Sequence, residues 1–306
     1  MAGPESCIAT GAALPVVRAI SLPAALLLLS KPGIVLAESA AGLAGILLAS
    51  RGLPASAALV FWSLLTLIMA ASGAAIGNCL LDAEADRLMP RLAARSRALA
   101  TVGKVRALII ALLLMGGAFL LTALLLNSLT LLLLVAACSS YLLLYTRWLK
   151  RSSPWGVLAG AIPGALPPLI GAAALNGSVT ALPLFLGLII FIWQLPHFWF
   201  LALQYREQYR LAGIPVLPLT HGSELTKRLT LLSAVALLPV ILAFSLLHSF
   251  SLVFTLVTLL AGILFPLCCY HYLYRTAEYR KGFIISLAYL AIILVAIMTE
   301  LILPMN

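Results

Sequence analysis

Two aspartates and an asparagine stand at the end of a long apolar run in this chain, in the stretch Asn78-Cys79-Leu80-Leu81-Asp82-Ala83-Glu84-Ala85-Asp86. The spacing is Asn-x3-Asp-x3-Asp. On an α-helix, steps of four residues advance about 40° around the axis and about 6 Å along it. Asn78, Asp82 and Asp86 therefore form one stripe with their oxygens on the same side. Oxygen ligands in a row suit Mg2+, which keeps several waters and binds through one or two carboxylates plus substrate phosphates. Arg87, Arg91, Arg95 and Arg97 follow at once. Acid to hold a metal, then base to hold phosphate, reads as a diphosphate site. The plainer alternative is acids paired with neighbouring arginines in water. It is the weaker reading, because these acids continue directly from an apolar segment. Glu84 points away from the stripe. Pro90 removes the N–H that would bond the Asp86 carbonyl, so the helix is expected to end there and let Arg91 and Arg95 fold back.

A second charged stretch runs Gln204-Tyr205-Arg206-Glu207-Gln208-Tyr209-Arg210, then Leu211-Ala212-Gly213-Ile214-Pro215-Val216-Leu217-Pro218. It follows Trp193-Gln194-Leu195-Pro196-His197-Phe198-Trp199 in an apolar segment. Intramembrane prolines leave carbonyls unpaired and tend to line cavities. An ionisable group beside one, His197, is a functional hypothesis by default; a neutral histidine bonded to a neighbouring helix is an equal competitor. A third stretch is Lys150-Arg151-Ser152-Ser153-Pro154, leading into Gly160-Ala161-Ile162-Pro163-Gly164-Ala165-Leu166-Pro167-Pro168-Leu169-Ile170-Gly171. Residues so small allow close helix contact; a wall against a large flat ligand is the alternative. His221, His248 and His271 have no ligand spacing.

The elements that must position these groups are membrane spans. The chain is 63% hydrophobic and only 9% charged, far below the roughly 25% charge of a soluble domain. Apolar segments of about 20 residues recur throughout, which implies an all-α polytopic membrane protein. Continuous runs, rather than alternation, exclude a β-barrel. Nine spans are expected, at about 22–50, 55–79, 104–125, 128–146, 155–175, 180–202, 229–248, 250–271 and 283–303. Lys31-Pro32-Gly33 interrupts the first; a span beginning at Pro32, with 22–30 in the interface, is the other possibility.

Of the 19 basic residues, all but Arg51 fall on one side of these spans. The net charge of +10 is therefore a topology signal and not a nucleic-acid one. It places the N-terminus in the cytoplasm and the C-terminus outside. The two long loops, 80–103 and 203–228, are both cytoplasmic, and long loops in a compact domain are often functional. No linker divides the chain, so one domain over 1–306 is expected, with 1–17 as a flexible cytoplasmic N-terminus. It lacks the pattern of a cleaved signal peptide. Cys7, Cys79, Cys138, Cys268 and Cys269 show no metal spacing and are expected as free thiols.

Taken together, the motifs resemble the haem O synthase (protoheme IX farnesyltransferase) branch of the UbiA-type intramembrane prenyltransferases. The segments that carry the resemblance are Lys31-Pro32-Gly33-Ile34, Asn78-x3-Asp82-x3-Asp86 with Met89-x-Arg91, Tyr145 to Arg151, Gly164 to Gly171, Trp193-x2-Pro196-His197-Phe198, and Ala212 to Pro218 with His221-Gly222. The resemblance implies a bundle of nine transmembrane helices around a central cavity open to the cytoplasmic side. It implies Mg2+-dependent transfer of farnesyl from farnesyl diphosphate to a vinyl group of haem b in the cell's inner (plasma) membrane. Water adds and diphosphate leaves. The product, haem O, passes to a haem A synthase or a terminal oxidase.

On this reading Asn78, Asp82 and Asp86 hold the metal, and Lys31, Arg91, Arg95, Lys150 and Arg206 neutralise the leaving diphosphate. Tyr141, Tyr145, Trp193 or Tyr205 face the allylic cation. His197, Trp193, Tyr205, Gln208 and Tyr209 belong to the acceptor side or the second loop. Three positions depart from the pattern. Ala94-Arg95-Ser96 replaces Asn-Arg-Pro, Gln208 stands where an acid is usual, and Glu38 stands where the first span often has Asn. A prenyltransferase with another acceptor, such as a quinone precursor or another tetrapyrrole, is the nearest competitor. A transporter is more distant, since transporters bind substrate near the bilayer midplane and here charge gathers at one surface.

Overall fold

The structure is a computed structural model and describes residues 20–53 and 55–302. Arg18, Cys7 and the expected N-terminal stretch 1–17 lie outside the described residues. Among the described residues, nine helices are long and apolar enough to cross a membrane. They are span 1 (Pro32–Ser50), span 2 (Ala57–Leu81), span 3 (Lys104–Leu125), span 4 (Ser128–Ser152), span 5 (Gly156–Asn176), span 6 (Ala181–Gln204), span 7 (Ser223–Leu246), span 8 (Leu252–Arg275) and span 9 (Tyr279–Ile302). Each consecutive pair packs together, and span 9 closes back onto span 1. Large apolar side chains point outward along most spans, Leu113, Leu246 and Leu252 among them, as lipid-facing surface requires.

The first expected span divides. Leu22–Leu29 is a separate short helix that ends at Ser30, and span 1 begins at Pro32. Between them Lys31 is left-handed, at φ 53° and ψ 63°. The proline explains the division. It suits the first turn of a helix but bars the residue before it from the α region. Helix Leu22–Leu29 buries Ala25 and Leu29 against Ala98, Leu99 and Val102 of helix Ala93–Val102.

Spans 1 and 5 meet through glycine. A methyl group on Gly45 would stand 2.0 Å from the Pro168 carbonyl oxygen, and one on Gly171 would stand 2.0 Å from that of Gly42. The small residues of 160–171 thus serve helix contact, and Gly164 admits the Gln194 amide of span 6. Span 5 itself is two helical pieces, Gly156–Ala165 and Pro167–Asn176, the second started by its proline. Span 6 runs unbroken through Pro196. Span 4 is π-helical over Ser140–Leu149, a rare geometry that is frequent at functional sites.

The long loops are folded. The first holds helix Ala83–Arg87, a 3-10 turn at Pro90–Leu92 and helix Ala93–Val102. The second holds helices Arg206–Leu211 and Leu217–Thr220. Met89 of the first loop is buried with Ala202 of span 6 and Tyr209, Ile214 and Val216 of the second. The two segments therefore form one layer across the same end of the bundle.

Candidate active site

The helix of span 2 keeps its hydrogen bonding past its end. Asp82 N–H donates to the Asn78 carbonyl at 2.9 Å, and Asp86 N–H donates to the Asp82 carbonyl at 2.8 Å. The stripe therefore exists: Asn78, Asp82 and Asp86 are all buried, at 3%, 1% and 4% exposure. The helix stops after Arg87, before Pro90, as proline chemistry requires.

Three separated segments converge on this stripe: Lys31 before span 1, span 4, and helix Ala93–Val102. The Lys31 ammonium donates to Asn78 Oδ1 at 2.5 Å and to the Tyr141 hydroxyl at 3.1 Å. The left-handed backbone at Lys31 is what sends this side chain inward while Pro32 starts span 1. Asn78 Nδ2 donates to Asp82 Oδ2 at 2.9 Å and to Thr146 Oγ1 at 3.0 Å. Lys150 Nζ donates to Asp82 Oδ2, and Arg151 Nη2 lies 3.8 Å from Asp82 Oδ1. Arg95 Nη1 donates to Asp86 Oδ2 at 2.9 Å. Burial raises the pKa of the Asp86 carboxyl, and the Arg95 guanidinium pulls it back down.

The π-helix has a role here. Thr146 Oγ1 donates to the Tyr141 carbonyl at 2.8 Å. That leaves a Thr146 lone pair for the Asn78 amide, so the amide orientation is fixed at both its oxygen and its nitrogen. Thr146, Tyr141 and Arg151 complete the cluster. Tyr141 was expected only as an aromatic face, and Thr146 and Arg151 had no expected role. The signal for Thr146 was weak: one hydroxyl in the segment Tyr145 to Arg151.

The remaining expected residues divide. Arg91 does fold back, but onto aromatic faces. Its guanidinium sits 4.6 Å from the Tyr205 ring centroid and 5.0 Å from that of Tyr209. Gln208 Oε1 accepts from the Arg91 backbone N–H at 3.4 Å, so Gln208 ties the two loops together. Arg206 is exposed and takes no part in the ion pairs around Asp82 and Asp86. The reason is the bend at Tyr205, φ −114° and ψ 28°; the helix restarts at Arg206 and turns its first residue to solvent. His197 is engaged with span 9. Its Nδ1 lies 2.8 Å from Ser286 Oγ, and its ring is stacked between Trp193 and Phe283 at 4.6 and 4.4 Å. Trp193 Nε1 donates to the Ser286 carbonyl at 2.6 Å.

No three His, Cys, Asp or Glu side chains cluster for a metal among the described residues. Magnesium does not need three. Two carboxylates with substrate phosphates and water suffice. One orphaned atom fits that chemistry: Asp82 Oδ1 is buried with no hydrogen-bond partner among the described residues. A buried carboxylate oxygen left unpaired is costly and is expected where a ligand completes it. Cations already stand around the two acids, ready to turn to an anion. The arrangement can hold a divalent ion against a diphosphate at the end of an apolar bundle.

The family model described as "UbiA prenyltransferase family" matches residues 39–298. Among curated relatives, a protoheme IX farnesyltransferase of Geotalea uraniireducens (strain Rf4) is 40% identical over 254 residues, covering 83% of this chain and 98% of the relative. One of Aquifex aeolicus (strain VF5) is 36% identical over 268 residues, covering 87% of this chain and 91% of the relative. Among solved structures, a UbiA homologue from Archaeoglobus fulgidus bound to GPP and Mg2+ aligns with a TM-score of 0.68 and 15% identity, over 90% of this chain and 99% of that one. The apo UbiA homologue from Aeropyrum pernix K1 aligns with a TM-score of 0.73 and 21% identity, over 88% and 98%.

Proposed function

This chain belongs to the UbiA prenyltransferase family, and from that membership we propose that it transfers farnesyl from farnesyl diphosphate to a vinyl group of haem b, releasing diphosphate and giving haem O. The observation that carries the chemistry is the buried Asp82 Oδ1, which has no hydrogen-bond partner among the described residues, in a cluster that also holds Asn78, Asp86, Lys31, Lys150, Arg151 and Arg95. The names of relatives up to 40% identical over nearly their whole length support the haem acceptor.

Asp82, Asp86 and Asn78 would hold Mg2+, which supplies positive charge for the diphosphate as the allylic C–O bond breaks. Charge stabilisation of this kind is usually the largest catalytic term. The chain's own residues do the rest. Lys31, Lys150 and Arg95 are already inside the cluster and bind the departing diphosphate; Arg151 adds charge at its edge. Arg91, held on Tyr205 and Tyr209, and Gln208 fasten the second loop over the first. The faces of Tyr141 and Tyr145, stacked at 6.2 Å, stabilise cationic carbon by cation–π attraction. His197, held by Ser286, stands on the acceptor side with Trp193.

The cluster lies at the end of the spans where basic residues gather, which supports a chamber reached from the cytoplasmic side of the cell membrane. The same bias supports a cytoplasmic N-terminus and an outer C-terminus. The test is to incubate membranes holding the protein with haem b, farnesyl diphosphate and Mg2+, and to look for a hydrated, farnesylated haem by mass spectrometry. The product is expected only when all three are present. A product with a quinone precursor, and none with haem, would assign a different acceptor.

A further inference from the structure

A second group of basic residues lies beside the acid stripe without belonging to it. Arg87 and Lys104 are exposed and form no ion pair among the described residues. They line a cavity of about 220 Å³ together with Ala83, Ser96, Leu99 and Gly103, and no acid lines it. Sites for drug-sized ligands run from about 300 to 1,000 Å³, so this one suits a small group and not a prenyl chain. Asp82 and Asp86 occupy one face of their helical segment. Ala83 and Arg87, one position on, are turned about 100° from that face. The cavity therefore lies on a different flank from the diphosphate cluster.

Three features of the cavity suit an anion. First, span 3 begins at it. Gly103 is the N-cap, at φ 82°, and no side chain caps the helix there. The first N–H groups of a helix have no partner within it, and together they carry about half a positive charge. The Gly103 N–H donates to the Leu99 carbonyl at 2.9 Å; those of Lys104, Val105 and Arg106 point out of the helix start. A methyl group on Gly103 would meet nothing within 4 Å, so the space there is open. Second, Lys104 and Arg106 stand in a first turn that holds no acid, where the helix dipole disfavours cations. A topology rule explains basic residues at this end of the bundle, but it requires no cavity. Third, the Ser96 hydroxyl oxygen is buried with no hydrogen-bond partner among the described residues. A helical serine can satisfy its hydroxyl on the carbonyl four residues back, as Ser39, Ser63 and Ser233 do here. Ser96 does not, and it lines the cavity.

We propose that this cavity is a phosphate-binding site separate from the diphosphate cluster. It takes one phosphate group on the first N–H groups of span 3, the Ser96 hydroxyl and the Arg87 and Lys104 side chains. The chemistry is that of an anion at a helix N-terminus, with two free cations and an idle hydroxyl added. A free phosphate anion fits it, and so does the headgroup phosphate of a phospholipid, since the cavity lies where span 3 starts to cross the membrane. The site does not depend on the farnesyl transfer proposed above.

The test uses the full chain in detergent, with farnesyl diphosphate and Mg2+ added to fill the acid stripe and haem left out. One arm titrates inorganic phosphate by calorimetry. The other adds phosphatidylglycerol and counts the lipid retained per chain by native mass spectrometry. Wild type is compared with Ser96→Ala and with the double variant Arg87→Gln, Lys104→Gln. Ser96→Ala should weaken binding about tenfold, the worth of one hydrogen bond to a charged group. The double variant should weaken it about 10²-fold or more, since two charge-assisted contacts are lost. Phosphate bound by wild type and lost in the variants assigns a free anion. Phosphatidylglycerol retained by wild type and lost in the variants assigns a lipid headgroup. Ser96→Ala removes a single oxygen, so it carries the comparison if the double variant fails to fold. Wild type and Ser96→Ala alike in both arms would overturn the proposal. So would loss of farnesyl diphosphate binding in Ser96→Ala, which would make the cavity part of the diphosphate cluster. The difference between wild type and variant reads the cavity whether or not farnesyl diphosphate binds, so failure of the farnesyl activity leaves this result standing.

Discussion

Asp82→Asn keeps the shape of the side chain and removes one charge, which makes it the most informative single substitution. Asp82 is 1% exposed. Its Oδ2 accepts from Asn78 and Lys150, and its Oδ1 has Arg151 at 3.8 Å. Lys31, Lys150, Arg151 and Arg95 surround two carboxylates, so the substitution adds one further net positive charge to the cluster. Binding of a diphosphate without metal should therefore persist or tighten. The gain on adding Mg2+ should disappear. Turnover should fall by about 10²- to 10³-fold, the loss of about 2.7–4 kcal/mol seen when one preorganised charge-stabilising group is removed.

Stability should suffer less than function in that variant. Removing one member of a fully buried pair costs about 3–5 kcal/mol. Lys150 is 17% exposed and can turn its ammonium towards water, so about 1–2 kcal/mol is expected on the same basis. The assay is haem farnesylation in membranes with matched protein levels, beside farnesyl diphosphate binding with and without Mg2+. Turnover within about threefold of wild type at saturating Mg2+ would refute the metal role of Asp82, on a scale where one such group is worth at least about a hundredfold.

Thr146→Val deprives the Asn78 amide of one acceptor and the Tyr141 carbonyl of its donor. A loss of about 1–3 kcal/mol per unpaired buried group should appear as a higher Mg2+ requirement and slower turnover in the same farnesylation assay. Arg91→Ala removes two ring contacts, each worth about 0.5–1 kcal/mol. Amide exchange across the 205–214 loop should quicken while the global melting temperature barely moves, with Arg91→Lys intermediate. Gly45→Ala drives a methyl into the Pro168 carbonyl and should destabilise by about 1–3 kcal/mol, seen as a lower melting temperature in detergent. Gly33→Ala, with nothing within 4 Å of the added carbon, is the neutral control.

The spans were readable because each is a continuous apolar segment of 19 to 25 residues, and length with composition is all that crossing a bilayer demands. The acid stripe was readable because the i to i−4 hydrogen bonds continue from span 2 across Asp82 into helix Ala83–Arg87, so a spacing of four kept its meaning. The partners of the stripe were less so. Lys150 meets Asp82 across 68 residues of sequence, and no local pattern encodes that distance. The π-helical turn that aims Thr146 has no residue signature, since it depends on packing against neighbouring spans. Arg206 was misplaced because the sequence hides the bend at Tyr205 that breaks one helix into two. Arg91 was expected at the acids; two tyrosines four residues apart, Tyr205 and Tyr209, take it instead. The division at Lys31-Pro32 was visible as an alternative, since proline restricts the residue before it, but the handedness of that lysine was not.

That handedness constrains anyone who engineers this protein for robustness. A lysine at φ 53° gives up about 1–2 kcal/mol relative to an unstrained backbone, and glycine at the same position is the stock remedy for left-handed sites. Here the remedy would delete the one ammonium that joins Asn78 to Tyr141. Asn78 Oδ1 would also lose its donor, at about 1–3 kcal/mol for an unpaired buried group, so the usual gain of a glycine at a left-handed site is offset here and Lys31→Gly should dismantle the cluster without raising the melting temperature.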